Sequence, residues 1–408
     1  MKKMLTKTRW LFTSLFFLWI LSPHHVFADV FEYRHRAGDR YRIISVVHQD
    51  VFIARRLSHS AEIVNRIAVE VLEENDGVGL HRAIFQTSER STAVAATSRS
   101  FQWAQEYESI FKRDRLGYMT IAPEFFMPVV RNVPVFPDMP LRPGDRWVAE
   151  GHEKHDFRQS FGIEEPFRIP FVATYEYLGE REWRGQSFPA FSVSYRILYN
   201  PAPVRGRVFP RRITGAADQI VFWNLALGQA VAYEEQFRII IELSDGRTIE
   251  YRGRAYAEIY DAPEMDRDQI AAELIEEINR LNLPNVEIRV VDEGVAISIE
   301  DIQFYANTAI MLPGEIEKLD QIAQILMRFS ERDILVAGHT ALSGSAETRM
   351  ALSRERAATV ADYLINRNVR SPERIIVRGY GAERPVADNS TEEGMRRNRR
   401  VEITILEN

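Results

Sequence analysis

The chain has 408 residues, 45% of them hydrophobic, no cysteine and a formal net charge of −6. Without cysteine there are no disulfides, thiolate metal sites, cysteine nucleophile or lipidated N-terminal cysteine. The mildly acidic balance argues against nucleic acid or anionic lipid as the general partner, and the apolar content suffices for two or three separate cores.

At the N-terminus, Lys2, Lys3, Lys7 and Arg9 precede the apolar run "WLFTSLFFLWIL" and a small-residue site ending at Ala28. A basic segment, an apolar stretch too short to span a bilayer and a cleavage pattern read as a secretory signal peptide over 1–28. Its removal takes away four basic residues and no acid, so the formal charge moves from −6 to −10. The expectation is an exported protein with no transmembrane helix after cleavage.

Residues 29–260 are rich in aromatic and β-branched residues with period-two alternation. "NRIAVEVLEENDGVGLHRAIFQ" (65–86) predicts a hairpin around Asp76-Gly77, and "FRIIIELSDGRTIEYRGRAYAEIY" (237–260) another around Asp245-Gly246. Phe171, Ala173, Tyr175 and Tyr177, then Phe191, Val193, Tyr195 and Ile197, each predict a strand with one buried face. "AGDRYRI" (37–43) and "PGDRWVA" (143–149) echo each other, which allows two related β units, 29–135 and 140–260, around a Pro-rich link. The region is expected to be all-β, a sandwich or barrel-like. Arg and Glu scattered along uneven strands favour a soluble β domain over an outer-membrane barrel.

After Asp261 the period changes. Ile270, Leu274, Ile278 and Leu281 predict a linker helix within 261–284. Two strands follow around Asp292-Glu293-Gly294, then a helix over 313–329, a strand over 332–338, a long helix over 346–367 and strands in "RIIVRGY" and "RRVEITIL". This alternation predicts an α/β sandwich of βαβαβ type over 285–408.

The spaced residues here resemble a known family. Phe304 and Asn307 in "FYAN", Gly338-His339-Thr340, Gly344, Leu352-Ser353, Arg356-Ala357, Val360, Arg374-Ile375, Gly379, Gly381, Pro385, Asn389, Thr391, Gly394 and "NRRVEI" (398–403) are similar in register to the C-terminal domain of the OmpA family, shared with peptidoglycan-associated lipoproteins and flagellar motor B proteins. The resemblance covers little more than a quarter of the chain. It implies a non-enzymatic domain of the periplasm, near the outer membrane or cell wall, that grips the diamino acid of the peptidoglycan stem peptide. It implies no cofactor and no metal.

In that family a carboxylate after the "GHT" strand takes the ligand ammonium, and the arginine of "LSxxRA" takes its carboxylate through a forked, charge-assisted pair. Arg356 stands at the arginine position; Ala341 replaces the acid and Arg349 the expected asparagine. Losing one charged hydrogen bond weakens binding about 10- to 150-fold. Glu347 or Asp388 is a candidate substitute acid, Asn307 and Thr340 are candidate pocket hydrogen-bonders, and one of Arg399 and Arg400 is expected to be structural. The alternative is a structural or protein-interaction module that no longer binds peptidoglycan. The β-rich part is expected to meet another, unidentified envelope protein.

Other motifs are weaker. "GHEKHD" (151–156) lacks the HExxH spacing and reads as a solvated loop; "VRGRVFPRR" and "GMRRNRR" read as solvated basic loops; "GYGAER" reads as a turn.

Overall fold

The computed structural model describes residues 28–91, 101–203, 208–300, 302, 304 and 311–407. The signal-peptide reading, Asn307 and residues 204–207 of the first arginine run lie outside them.

The N-terminal region is one continuous antiparallel ladder. Its strands are β1 (Arg40–Ile53), β2 (Arg56–Asn75), β3 (Val78–Ser91), β4 (Phe101–Arg113), β5 (Met119–Ile121), β6 (Val130–Arg131), β7 (Arg146–His155), β8 (Phe167–Trp183), β9 (Gln186–Tyr199), β10 (Pro210–Asn224), β11 (Gln229–Leu243) and β12 (Thr248–Asp261), with one short helix, α1 (Arg158–Phe161). Pairing runs β5-β4-β3-β2-β1-β12-β11-β10-β9-β8-β7-β6. The segment between β5 and β6 draws the two ends together: Ser109 Oγ of β4 donates to Met127 O at 2.8 Å and Lys154 N of β7 to Val129 O at 2.9 Å.

Tight hairpins set which side chains face in. Asp76 and Gly77, at φ 53° and 78°, give the β2–β3 turn the left-handed pair that matches strand twist. Along most of these strands odd-numbered residues then point inward, including all eight of Phe171 to Tyr177 and Phe191 to Ile197 named above, every one buried. Phe171 stacks on Tyr195 at 3.9 Å and Trp147 on Tyr175 at 5.0 Å. The even-numbered side bears cross-strand ion pairs, among them Arg82–Glu108 at 2.6 Å, Arg146–Glu176 at 2.7 Å and Arg238–Glu250 at 2.6 Å. A lipid-facing strand would lose roughly 2–4 kcal/mol for each such arginine at mid-bilayer; the same side also carries the exposed Val148, Val172 and Leu198. Among the described residues no helix is long and apolar enough to cross a membrane.

The two "GDR" echoes share a local geometry. Gly38 N donates to Val71 O and Val71 N to Asp39 O, while Gly144 N donates to Tyr177 O and Tyr177 N to Asp145 O. Each Gly-Asp thus starts a strand by pairing with the residue before a bulge in the next one.

The C-terminal part orders its strands β13 (Val286–Val291), β14 (Gly294–Glu300), β17 (Arg400–Leu406), β15 (Ile334–Gly338) and β16 (Ile375–Gly379), with only β15–β16 parallel. Helices α2 (Arg267–Leu281), α3 (Pro313–Met327) and α4 (Ala346–Asn366) cover one face, and α5 (Glu392–Asn398) precedes β17. Pro313 opens α3, where its missing N–H costs nothing. Ala271, Leu274 and Ile278 of α2 are buried in the same cluster as Leu319, Val336, Val360 and Ile403, so the expected linker helix packs into the C-terminal core. The basic run 394–400 is no solvated loop: most of it lies in α5, capped by Thr391 Oγ1 on Gly394 N at 3.0 Å, and Arg400 is buried.

The two parts meet in a charged seam. Ile376 and Val377 of β16 pair in parallel with Phe101 and Gln102 of β4. Nearby, Asp333, 2% exposed, accepts a 2.8 Å hydrogen bond from Arg374 and has Arg42 and Arg66 of the N-terminal region at 3.3 and 3.5 Å. Arg42 also donates to Glu331 O at 2.6 Å, and Arg66 to Glu373 O. Burial pulls both N-terminal arginines down, Arg66 to about 10, while the Asp333 charge pushes back.

Candidate functional site

The candidate site is built on the end of β15 and the first turns of α4. Gly338 ends the strand where a Cβ would stand 2.0 Å from Ser353 O, so only glycine lets the helix lie this close. Gly338→Ala is expected to cost about 1–3 kcal/mol, the usual penalty of forced overpacking; an unchanged melting temperature would refute that contact. Ser345 starts α4 by accepting from Thr348 N at 3.1 Å. Ser353 Oγ then accepts from Gly381 N and donates to Met350 O, both at 2.9 Å, which fixes the 380–384 turn against the helix.

Arg356 lies two turns beyond Arg349 on α4. Half-buried, its guanidinium stacks 4.8 Å over the Phe304 ring. Burial first, and the Arg399 charge second, pull Arg356 below the ordinary arginine value. Two cations therefore converge beside an aromatic face. Thr340 is buried, gives its N–H to Gly381 O at 2.8 Å, and leaves its Oγ1 with no hydrogen-bond partner among the described residues. Ala341, at the acid position, is buried, and its methyl offers no carboxylate to a ligand ammonium.

The candidate substitutes are otherwise engaged or exposed. Asp388 accepts from Ser390 N at 2.8 Å and Ser390 Oγ at 2.6 Å, which hold its carboxyl below its ordinary value. Glu347 is exposed in the first turn of α4. Arg349 turns back on the loop and donates to Gly344 O. Of the two terminal arginines, Arg400 is the structural one, donating to Glu402 at 2.8 Å and to Arg384 O at 3.0 Å.

Sequence reasoning took Asn389 and Asn398 only as fold markers, yet they hold the loop that contains Ala341. Asn389 Oδ1 accepts from Leu342 N and from Asn398 Nδ2, both at 3.0 Å, and Asn398 Oδ1 accepts from Val386 N and Ala387 N. Beneath the site, buried His339 stacks on Tyr380 and sits 3.4 Å from Glu402. Burial pushes Glu402 up, but His339 and Arg400 outweigh it and hold the carboxyl well below the usual range.

"GHEKHD" is corrected by the structure. Residues 151–155 are strand β7, not a solvated loop; Glu153 is buried between Tyr195 Oη at 2.9 Å and His155 Nε2 at 2.6 Å. The polar letters hid a strand because these partners satisfy them inside. Among the described residues no group of three or more metal-ligating side chains comes together.

Comparison with known proteins bears on the C-terminal part alone. Residues 303–399 match the OmpA family. The peptidoglycan-binding protein ArfA of Mycobacterium bovis is 36% identical over 110 residues, 27% of this chain and 33% of ArfA. The peptidoglycan-associated lipoprotein of Pseudomonas aeruginosa is 35% identical over 112 residues, 28% of this chain and 66% of the lipoprotein. An outer membrane protein structure from Borrelia burgdorferi is 36% identical, with 30% of this chain and 96% of that one covered and a TM-score of 0.25. The chain thus spans from a third to just under two thirds of these curated relatives' length. With the glycine-tight β15–α4 junction, the Ser353 tie and the match over 303–399, the C-terminal domain of this chain is a member of the OmpA family.

Proposed function

We propose that this is a non-enzymatic cell-envelope protein whose OmpA-family domain contacts the peptidoglycan stem peptide through Arg356, and whose β region, two related units over 29–135 and 140–260, meets another envelope component. The observation behind this reading is the half-buried Arg356 beside Arg399, stacked on Phe304, opposite a loop whose acid is replaced by Ala341. Such a site offers strong recognition of a carboxylate and weak recognition of an ammonium group. Relatives named for peptidoglycan binding or association support the wall as the source of that carboxylate. The buried Ala341 methyl favours a second reading, a scaffold that has given up the wall.

Calorimetry of the full mature chain with stem peptides bearing different diamino acids separates the two. Under the first reading the native chain binds, Arg356→Ala abolishes the signal, and Ala341→Asp strengthens the diaminopimelate peptide about 10- to 150-fold. Silence from the native chain with binding gained in Ala341→Asp assigns the second reading. Binding that Arg356→Ala leaves intact sinks the clamp.

A further inference from the structure

Seven strands of the N-terminal region, β1 to β4 and β10 to β12, turn inward residues toward a cavity of about 660 Å³. Tyr41, Ile67, Phe85, Tyr107, Tyr233 and Phe237 form much of its wall. The void does not come from a shortage of large side chains. Beside it the rings of Phe136, Phe191 and Trp223 are close-packed, with Phe136 at 5.1 Å from Phe191 and 4.8 Å from Trp223. An apolar wall of this extent gains when a hydrocarbon replaces water against it.

One end of the cavity holds the cation of Arg113. Arg113 stacks over Tyr33 at 4.7 Å and Phe111 at 5.6 Å and donates to Met119 Sδ at 3.3 Å. Its Nε is buried without a hydrogen-bond partner, and among the described residues it forms no ion pair with a carboxylate. His35 and His81 line the same end; among the described residues His35 Nε2 and both ring nitrogens of His81 have no hydrogen-bond partner. Burial, then the Arg113 charge, push His81 down to about 3 and His35 in the same direction, so both are neutral at neutral pH. Two acids line the cavity: Glu235 is occupied by Gln219 at 3.1 Å and pushed up by burial, and Asp39 is exposed and makes no ion pair with Arg113 among the described residues.

We propose that this cavity binds a single-chain amphiphile with an anionic head, its carboxylate or phosphate paired with Arg113 and its acyl chain lying along the aromatic and aliphatic wall. A half-buried guanidinium flanked by hydrogen-bonding rings suits an oxyanion, and the cavity lies within the ordinary size range for small-molecule sites. The inference is independent of peptidoglycan contact.

The test uses the full mature chain and cis-parinaric acid, whose fluorescence rises in an apolar site. One-to-one binding is expected, displaced by palmitate at concentrations at least tenfold below those needed for hexadecyltrimethylammonium. Arg113→Met, checked for folding by circular dichroism, should weaken palmitate about 10- to 150-fold while binding the uncharged probe N-phenyl-1-naphthylamine as the native chain does. Val47→Trp, which fills the cavity, should remove both. Displacement by palmitate alone identifies a free fatty acid as the source, and displacement also by lysophosphatidylglycerol a lipid headgroup; either outcome supports the site. No parinarate binding by the folded native chain, or native affinity for palmitate in Arg113→Met, overturns it.

Discussion

Replacing Asp333 with alanine should lower the urea midpoint of the whole chain by the equivalent of about 3–5 kcal/mol, the cost of removing one partner from a buried ionic group. The reason is arithmetic of charge. One carboxylate, 2% exposed, faces three arginines, so its loss leaves Arg42 and Arg66 buried with neutral partners, backbone carbonyls, the Ser88 hydroxyl and the Tyr260 ring. Asp333→Asn keeps the volume and one acceptor but not the charge, and should recover only part of the loss. Adding Arg66→Met to Asp333→Ala should recover part of the stability, because it removes one of the two stranded charges while Arg42 remains. A change below about 1 kcal/mol in the alanine variant would mean that water reaches the seam and screens it.

Acid should weaken the N-terminal region through His81. His81, 1% exposed and packed 4.9 Å from His35 and 5.1 Å from Phe111, has its pKa pushed to about 3, first by burial and then by Arg113. Its folded value thus lies below the unfolded value of about 6.5, so as pH falls the unfolded chain takes up the proton first. Stability is fully present above about pH 6.5 and is lost progressively toward pH 3. At about 1.4 kcal/mol per unit, this residue alone should cost about 2 kcal/mol between pH 7.5 and 5 and on the order of 4 kcal/mol over the whole window. Denaturant titrations at pH 7.5 and 5 check this against His81→Gln, which should show a shallower pH dependence. Equal slopes in both proteins would place the acid sensitivity elsewhere.

The sequence made some of this legible and concealed the rest for physical reasons. The runs from Phe171 and Phe191 announced their strands because one face is buried and one wet, which writes a period of two into the residues. Arg356, Thr340 and Ala341 were found through spaced motif residues, and Gly338 and Ser353 show why that spacing exists: helix and strand touch there at backbone distance. The cavity left no such trace. Ile67 and Phe85 alternate just as Val193 and Tyr195 do, and the difference is that Phe31, Val135, Phe136 and Leu141, from before β1 and between β6 and β7, pack against the second set while the first meets space. Arg113 looked like one more arginine on a strand. Asp333 looked like a polar residue before β15, because the arginines that give it a role stand far away in sequence.

The pairing of Phe101 and Gln102 with β16 has a consequence for anyone who would cut the molecule in two. β16 is the last strand of the C-terminal sheet, and a border strand left open offers its amides and carbonyls to any extended chain that drifts past. In the intact protein β4 occupies that border at its Ile376 and Val377 positions. A fragment holding the C-terminal domain alone would have a raw hem, prone to stitching itself to its own copies. In this sense the N-terminal region acts as a built-in chaperone for its neighbour.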